Sequence, residues 1–175
     1  MEQPKFNTIA GKAHKYGDNI DTDVIIPGRY CNMTDPKALA KHCFEDLDIN
    51  FVKKVSQNDI VVAGENFGCG SSREVAAVTL KAAGVSAVIA KSFARIFFRN
   101  SINLGLPIIE CPEFVENTDS NDSVEIDLSA GQIRNLTKNA TFTFAPYNAE
   151  LTDIFNAGGL IPWLKKQTKH ENSND

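Results

Sequence analysis

The chain has 175 residues, of which 42% are hydrophobic and 23% charged, the composition of an ordinary globular domain. Its formal net charge is -4 and no basic patch stands out, which disfavours a nucleic-acid partner. No apolar run approaches the roughly 20 residues that a transmembrane helix needs, and the N-terminus lacks the apolar core of a signal peptide. We therefore expect a cytoplasmic protein.

The first part of the chain predicts two strands separated by an acidic loop. Residues 8–16 have the pattern of a strand, and residues 17–23, GDNIDTD, are rich in turn-forming side chains. Residues 24–26 are a short apolar run, for which we expect a buried strand. Pro36, preceded by a capping aspartate, predicts a helix over residues 36–44.

The central part of the chain has the alternating order of an α/β unit. Strands are expected at residues 60–63, 85–90 and 106–109, and helices at residues 72–83 and 93–104. The strands are continuous apolar runs, as expected where both faces of a parallel sheet are covered. The β-α-β-α-β order implies right-handed crossovers and a partly parallel sheet.

The last part of the chain alternates apolar and polar residues, which is typical of an antiparallel meander with one solvated face. Strands are expected at residues 124–128, 133–136 and 141–144, followed by a helix at residues 149–156. The polar residues 165–175 predict a disordered tail. The predicted fold class is α/β, a mixed sheet with flanking helices in a single domain over residues 1–164.

The segment GENFGCGSSRE, residues 64–74, is the strongest candidate for a functional site. A strand that ends in glycines and opens onto a helix gathers backbone N–H groups and the positive end of the helix dipole. Ser71, Ser72 and Arg73 lie at that point, which predicts a site for a carboxylate or phosphate. Two structural alternatives stay open: Ser71 and Glu74 match a capping box, and Arg73 can pair with an acid of this chain.

Other polar residues near this segment have two interpretations each. Asp21 and Asp23 either cap their own loop or orient a hydroxyl or an arginine in a shared cleft. Ser92 is expected to cap the second helix of the central unit. Cys69 lies where a thiolate is favoured, although a small residue in a tight turn is the simpler explanation. Because no Cys-x-x-Cys pair occurs, we expect no metal site on this chain. The four cysteines are Cys31, Cys43, Cys69 and Cys111.

Three motifs occur in a fixed order: GDNIDTDVIIP at residues 17–27, GCGSSRE at residues 68–74 and KSFARI at residues 91–96. In these motifs the chain resembles the small, swivelling domain of the aconitase superfamily. In its length and in its lack of a domain that holds a cluster, the chain most resembles the small subunits of 3-isopropylmalate dehydratases. The resemblance implies a swivelling β/β/α domain of the aconitase type.

The resemblance also implies an activity and a partner. The activity is that of a hydro-lyase of leucine biosynthesis, which isomerises 2- and 3-isopropylmalate by dehydration and rehydration. A separate large subunit, in a heterodimer or heterotetramer, would carry a [4Fe-4S] cluster as Lewis acid, with no cofactor on this chain. Ser71 would be the base, and Asp23 would face it to set its protonation. Ser72 and Arg73 would hold a substrate carboxylate and the developing negative charge.

Substrate choice is expected in a loop whose residues are Tyr30, Cys31, Asn32, Met33 and Thr34. Relatives that use tricarboxylates have an arginine in this region, whereas here Arg29 lies only at the edge of the loop. The loop therefore favours isopropylmalate over homoaconitate, because a third carboxylate would lack its partner. A methylated malate, such as citramalate or 2,3-dimethylmalate, stays open.

Two alternatives come from other functional classes. A non-enzymatic module could bind an anion with the same serines and arginine. A stand-alone hydrolase could use Cys69 or Ser71 as its nucleophile, although no histidine lies near either residue in the sequence.

Overall fold

The computed structural model describes residues 8–171, with side chains up to residue 169. The strands are β1 (Thr8–Lys15), β2 (Asp59–Ala63), β3 (Val85–Ala90), β4 (Ile108–Glu110), β5 (Ser123–Asp127), β6 (Gln132–Asn135) and β7 (Ala140–Thr143). The helices are α1 (Thr22–Ile25), α2 (Pro36–Ala40), α3 (Phe51–Lys54), α4 (Glu74–Ala82), α5 (Arg95–Leu104), α6 (Pro112–Glu116), α7 (Ala149–Ala157) and α8 (Leu160–Glu171).

The strands form one mixed sheet in the order β4-β3-β2-β1-β5-β6-β7. Neighbours from β4 to β1 are parallel, and neighbours from β1 to β7 are antiparallel. β1 belongs to both halves, since Ala13 lies opposite Ile60 of β2 and Ile9 lies opposite Ile126 of β5. The predicted α/β class, with a mixed sheet and flanking helices, is confirmed.

The sheet separates two hydrophobic clusters. In β2, Val61 and Ala63 join the cluster that also contains Leu80 of α4. Ile60 and Val62 point the other way, into the cluster that contains Phe114 of α6. All five residues of β2 are buried, which explains why the strand is a continuous apolar run after Asp59.

Residues 24–26, for which the sequence predicts a strand, belong mainly to the single-turn helix α1, and that prediction is wrong. Asp21 is the N-cap, and its Oδ1 accepts a hydrogen bond from the amide of Val24 at 2.8 Å. The amide of Ile26 donates to the carbonyl of Thr22 at 3.0 Å and closes the turn. The cap therefore outweighs the strand preference of the β-branched residues that follow it.

The helix predicted over residues 36–44 is shorter than expected. The Oδ1 atom of Asp35 caps α2 by accepting from the amide of Lys37 at 3.1 Å, which confirms the predicted start. α2 ends at Ala40, and Phe44 has a φ of 56°, outside the range of a right-handed helix. The amide of Phe44 instead donates to the carbonyl of Ile25 at 2.9 Å, so a tertiary contact ends the helical pattern.

Residues 165–171, which the sequence predicts to be disordered, are the second half of α8. Lysine and glutamine in this stretch have high helix propensity, and the helix continues from residues anchored on α5 and α7. The remaining part of the predicted tail, residues 172–175, lies outside the described residues. Neither α8 nor any other helix within residues 8–171 is long and apolar enough to cross a membrane.

Candidate active site

The loops that follow β1, β2 and β3 meet at the carboxyl ends of these parallel strands. Main-chain hydrogen bonds join them, from Asn19 to Glu65 at 2.8 Å, from Gly68 to Ile20 at 2.7 Å and from Phe67 to Ser92 at 3.0 Å. The three motifs recognised in the sequence are therefore neighbours in space. Ligand sites of open α/β sheets occupy this position.

Two glycines shape the loop that carries the serines. Gly68 and Gly70 have φ values of 77° and 95°, in the left-handed region that other residues rarely adopt. A Cβ atom at Gly68 would also overlap the ring of Phe97. The loop therefore needs glycine at residue 68, both for its backbone conformation and for its contact with α5.

The serines of the two loops are not helix caps. The N-cap of α4 is Arg73, whose side chain makes no capping hydrogen bond, so the capping box predicted for Ser71 is not formed. Ser92 was expected to cap α5, yet α5 begins three residues later. The hydroxyl of Ser92 instead accepts from the amide of Asn66 at 2.8 Å and holds the two loops together.

The hydroxyl of Ser71 contacts Thr22. The two side-chain oxygens are 3.1 Å apart, and the Thr22 hydroxyl also lies 3.2 Å from the carbonyl oxygen of Ser71, to which it can donate. Ser71 and Ser72 are both exposed, so a reactant can reach them from solvent. Thr22 is buried behind Ser71 and is a residue of the site that the sequence does not predict.

Arg73 forms an ion pair with Asp23. The pairing of Arg73 with an acid of this chain, left open from the sequence, is therefore observed. The partner observed for Asp23 is Arg73, since its carboxylate accepts from Nη1 of that residue, and the expectation that Asp23 faces Ser71 stays a prediction. A Cβ atom at Gly28 would lie 3.2 Å from Nη1 of Arg73 and 3.4 Å from Oδ1 of Asp23, so this glycine leaves room for the pair.

The three residues of the Asp-Thr-Asp triplet have three different partners. Asp21 caps its own helix turn, as one interpretation of the sequence predicts. Thr22 contacts Ser71, and Asp23 orients an arginine, as the other interpretation predicts. Adjacent residues of a helix turn point in different directions, so the sequence of the triplet does not indicate that Thr22 contacts Ser71.

The environment of Cys69 does not favour a cysteine nucleophile. Burial and the nearby charge of Asp21 raise the pKa of the Cys69 thiol, so it stays protonated at neutral pH. His14 is bound to Asp59, and His42 is bound to Glu45. The histidine side chains described in the structure are thus engaged elsewhere, which counts against a stand-alone cysteine hydrolase.

The loop predicted to select the substrate begins with a 3₁₀ turn and is anchored at Tyr30. The Tyr30 ring stacks on His42 with 3.7 Å between ring centroids, and its hydroxyl donates to Oε1 of Glu45 at 3.0 Å. Arg29 donates to both carboxylate oxygens of Asp46, at 2.7 and 2.9 Å. The loop residues beyond this anchor are at least partly exposed, namely Cys31, Asn32, Met33 and Thr34.

Within residues 8–171, no group of three or more His, Cys, Asp or Glu side chains is placed to hold a metal ion. All four cysteines are free, and two of them, Cys43 and Cys111, are buried in different hydrophobic clusters. The described residues therefore offer no set of ligands for an iron–sulfur cluster.

Comparison with known proteins gives consistent matches. The family model of the aconitase C-terminal domain matches residues 48–114. The 3-isopropylmalate dehydratase small subunit of Caldicellulosiruptor saccharolyticus is 61% identical over 161 residues, covering 92% of this chain and 93% of that protein. The corresponding protein of Thermodesulfovibrio yellowstonii is 55% identical over 163 residues, covering 93% and 97%. The crystal structure of 3-isopropylmalate dehydratase from Methanocaldococcus jannaschii has a TM-score of 0.89 and 48% identity, covering 96% of this chain and 99% of that one.

The mixed sheet and the serine–arginine loop at its carboxyl edge define a domain of the aconitase type. Within that class, the chain belongs to the family of 3-isopropylmalate dehydratase small subunits, as the identity over most of its length shows. Membership in a family of small subunits implies a partner large subunit.

Proposed function

We propose that this chain is the small subunit of a hydro-lyase that interconverts 2- and 3-isopropylmalate by dehydration and rehydration in leucine biosynthesis. The observation that carries the proposal is the exposed loop on which the Ser71 hydroxyl and the Arg73 guanidinium lie two residues apart, each fixed by one residue of α1. In this proposal the loop supplies both a base and an anion-binding group.

Ser71 acts as the base in this proposal. It takes a proton from the substrate carbon next to the one that bears the hydroxyl, and the electron pair of that C–H bond stays with the substrate. Ser71 lies just before the N-terminus of α4, whose dipole favours negative charge on the serine oxygen. A serine so placed ionises more easily, because its alkoxide is stabilised, and the basic form is therefore more available.

Ser72 and Arg73 bind carboxylate. Asp23 engages Nη1 of Arg73 and fixes the direction of the planar fork, whose other N–H groups suit a carboxylate. In this proposal Asp23 is a positioning residue, which acts through its contact with Arg73.

The anchoring of Arg29 supports a dicarboxylate substrate with an alkyl group. Its Nη1 and Nη2 groups both donate to acids of this chain, Asp46 and Glu45, so the guanidinium fork that would bind a third carboxylate is occupied. The half-buried side chain of Cys31 and the exposed side chain of Met33 can instead contact an alkyl group. A methylated malate would contact the same surface. Steady-state kinetics with both kinds of substrate therefore has to decide which alkyl group the enzyme prefers.

We propose that the partner large subunit carries a [4Fe-4S] cluster. When bound, such a cluster supplies Lewis-acid chemistry at the departing hydroxyl. The described residues of the small subunit then supply the base and the carboxylate contacts. The free thiols of the chain suit the reducing cytoplasm, where we place the complex.

The test is anaerobic reconstitution of this chain with a cluster-bearing large subunit, followed by absorbance of the unsaturated intermediate. Isopropylmalate, citramalate, 2,3-dimethylmalate and homoaconitate are compared as substrates. We expect turnover of isopropylmalate only when both chains are present, and a loss of roughly 100- to 10,000-fold in Ser71→Ala. Ser86→Ala, at the opposite end of β3, is the matched control and should keep full activity.

Each contrary outcome has a definite meaning. Activity of the small subunit by itself would support a hydrolase, and anion binding without turnover in any reconstitution would support a binding module. Full activity of Ser71→Ala would remove Ser71 as the base.

A further inference from the structure

Thr22 lies directly behind Ser71, and 2% of its surface is exposed. Its Oγ1 atom is 3.1 Å from the hydroxyl oxygen of Ser71 and 3.2 Å from the carbonyl oxygen of the same residue. We propose that Thr22 is the positioning residue of Ser71, which fixes the serine hydroxyl and stabilises its ionised form by donating a hydrogen bond. This inference rests on the proposed function, in which Ser71 is the base.

The hydroxyl of Thr22 has one proton and two acceptors within reach. The carbonyl of Ser71 can only accept, so with a neutral serine Thr22 donates to that carbonyl and the Ser71 hydroxyl donates to Thr22. The serine proton then points back toward α1, and the lone pairs of Ser71 are left for the exposed side, where a substrate binds.

Ionisation of Ser71, in which its proton passes to solvent at the exposed side of the loop, reverses the second hydrogen bond. The alkoxide has no proton to donate, so the hydroxyl of Thr22 rotates from the carbonyl to the serine oxygen. A hydrogen bond to a charged acceptor is roughly twice as strong as a neutral one. Thr22 therefore stabilises the alkoxide more than the neutral serine, which makes Ser71 easier to use as a base.

The same alternation operates in both directions of the reaction. When a proton passes from the substrate carbon to Oγ of Ser71, the C–H electron pair stays with the substrate and the Thr22 hydroxyl returns to the carbonyl. When Ser71 returns the proton in rehydration, Thr22 again donates to the serine oxygen. Thr22 keeps its own proton throughout, so it acts through Ser71.

The backbone of Thr22 is fixed from two sides. Its amide donates to the carbonyl of Cys69 at 2.9 Å, and Asp21 caps the helix turn in which it lies. A β-branched side chain on a fixed backbone has few χ1 choices, so the direction of Oγ1 is set before a substrate arrives. Serine at this position would keep the proton and lose this stiffness.

The test compares Thr22→Val, Thr22→Ser and Ser71→Ala in the reconstituted two-subunit enzyme. Valine has nearly the shape of threonine without the hydroxyl. We expect Thr22→Val to lower kcat roughly 10- to 100-fold, the loss of one hydrogen bond to a charged group, with KM nearly unchanged. Thr22→Ser should restore most of the lost kcat. The matched control is Thr152→Val, a buried threonine of α7 whose hydroxyl donates to the carbonyl of Asn148 at 3.0 Å.

The outcomes distinguish the role of Thr22 from the proposed function, in which Ser71 is the base. Loss of activity in Ser71→Ala with full kcat in Thr22→Val would overturn the role of Thr22 and leave the function intact. Equal losses in Thr22→Val and Thr22→Ser, or a loss confined to KM, would show a packing role and overturn the inference as well. Full activity of Ser71→Ala would reject the base itself.

Discussion

The guanidinium of Arg73 donates a hydrogen bond to Asp23, fifty positions earlier in the chain. Asp23 is on the single-turn helix α1, and Arg73 is the N-cap of α4. A Cβ atom at Gly28 would crowd both side chains. An arginine at the start of a helix is unfavourable by itself, and the adjacent carboxylate offsets that cost.

Neutralising Asp23 tests whether the ion pair positions Arg73 for substrate. Asp23→Asn should raise KM several-fold and lower kcat/KM by roughly 10-fold, because the guanidinium loses its charged partner. Steady-state kinetics of the reconstituted enzyme give both values. Glu65→Gln, an exposed acid in the loop after β2, is the control and should have little effect. A collapse of kcat at constant KM would instead indicate that Asp23 acts on Ser71.

A new arginine in the substrate loop tests its role in selection. Asn32→Arg should raise kcat/KM for homoaconitate relative to isopropylmalate by roughly 10-fold or more, because a third carboxylate gains a bidentate partner. Asn103→Arg, exposed near the end of α5, adds the same charge away from the loop. An unchanged preference in Asn32→Arg would remove the loop as the selector.

Gly68→Ala tests the backbone of the serine loop. The left-handed φ of 77° and the overlap with Phe97 together predict a loss of about 2–4 kcal/mol in the free energy of unfolding. Gly17→Ala is the control at the same edge of the sheet, since nothing lies within 4 Å of a Cβ there. Urea denaturation of the isolated subunit measures both. Equal stability of the two variants would contradict the conformational requirement at residue 68.

Asp59 predicts a dependence of stability on pH. Burial by itself would raise its pKa, but hydrogen bonds from His14 and the amides of Lys12 and Ser56 outweigh burial and hold the pKa of Asp59 below its usual range. A carboxyl with a depressed pKa stabilises the fold above its unfolded pKa of about 3.9, and that stability is lost as pH falls through the lower folded value.

The measurement is the free energy of unfolding from pH 7 down to pH 3. Asp59→Asn should be about 1–3 kcal/mol less stable than the parent at pH 7, and the difference should shrink below about pH 4. Asp153→Asn changes an exposed acid of α7 and should follow the parent curve. A constant difference at all pH values would show that the charge of Asp59 is not the cause.

The parallel half of the sheet could be predicted because its strands carry the signal of burial on both faces. β3 coincides with the expected residues 85–90, and β2 begins one residue earlier than expected. α1 could not be predicted in the same way, since its residues favour strands and the side chain of Asp21 decides the outcome. Phe44 ends the helical pattern through a hydrogen bond to Ile25, and a local pattern contains no such information.

The sequence predicts which loops form the candidate site, but it does not predict most of the contacts between their side chains. Ser71, Ser72 and Arg73 follow from a glycine-rich turn between a strand and a helix, and the roles given to them stay predictions. The partner of Asp23 and the position of Thr22 depend on how α1 docks against that loop. The pairing of Arg29 with Asp46 likewise joins residues whose proximity the sequence does not reveal.

The main-chain hydrogen bonds between the loops after β1, β2 and β3 affect how the subunits associate. Amides of Asn19, Phe67 and Gly68 are already bonded within the small subunit, so these loops need little further ordering when a partner binds. Ordering flexible loops at an interface reduces affinity, and a surface ordered in advance avoids that entropy loss. We therefore expect slow hydrogen exchange at these three amides in the isolated subunit, even though they lie in loops.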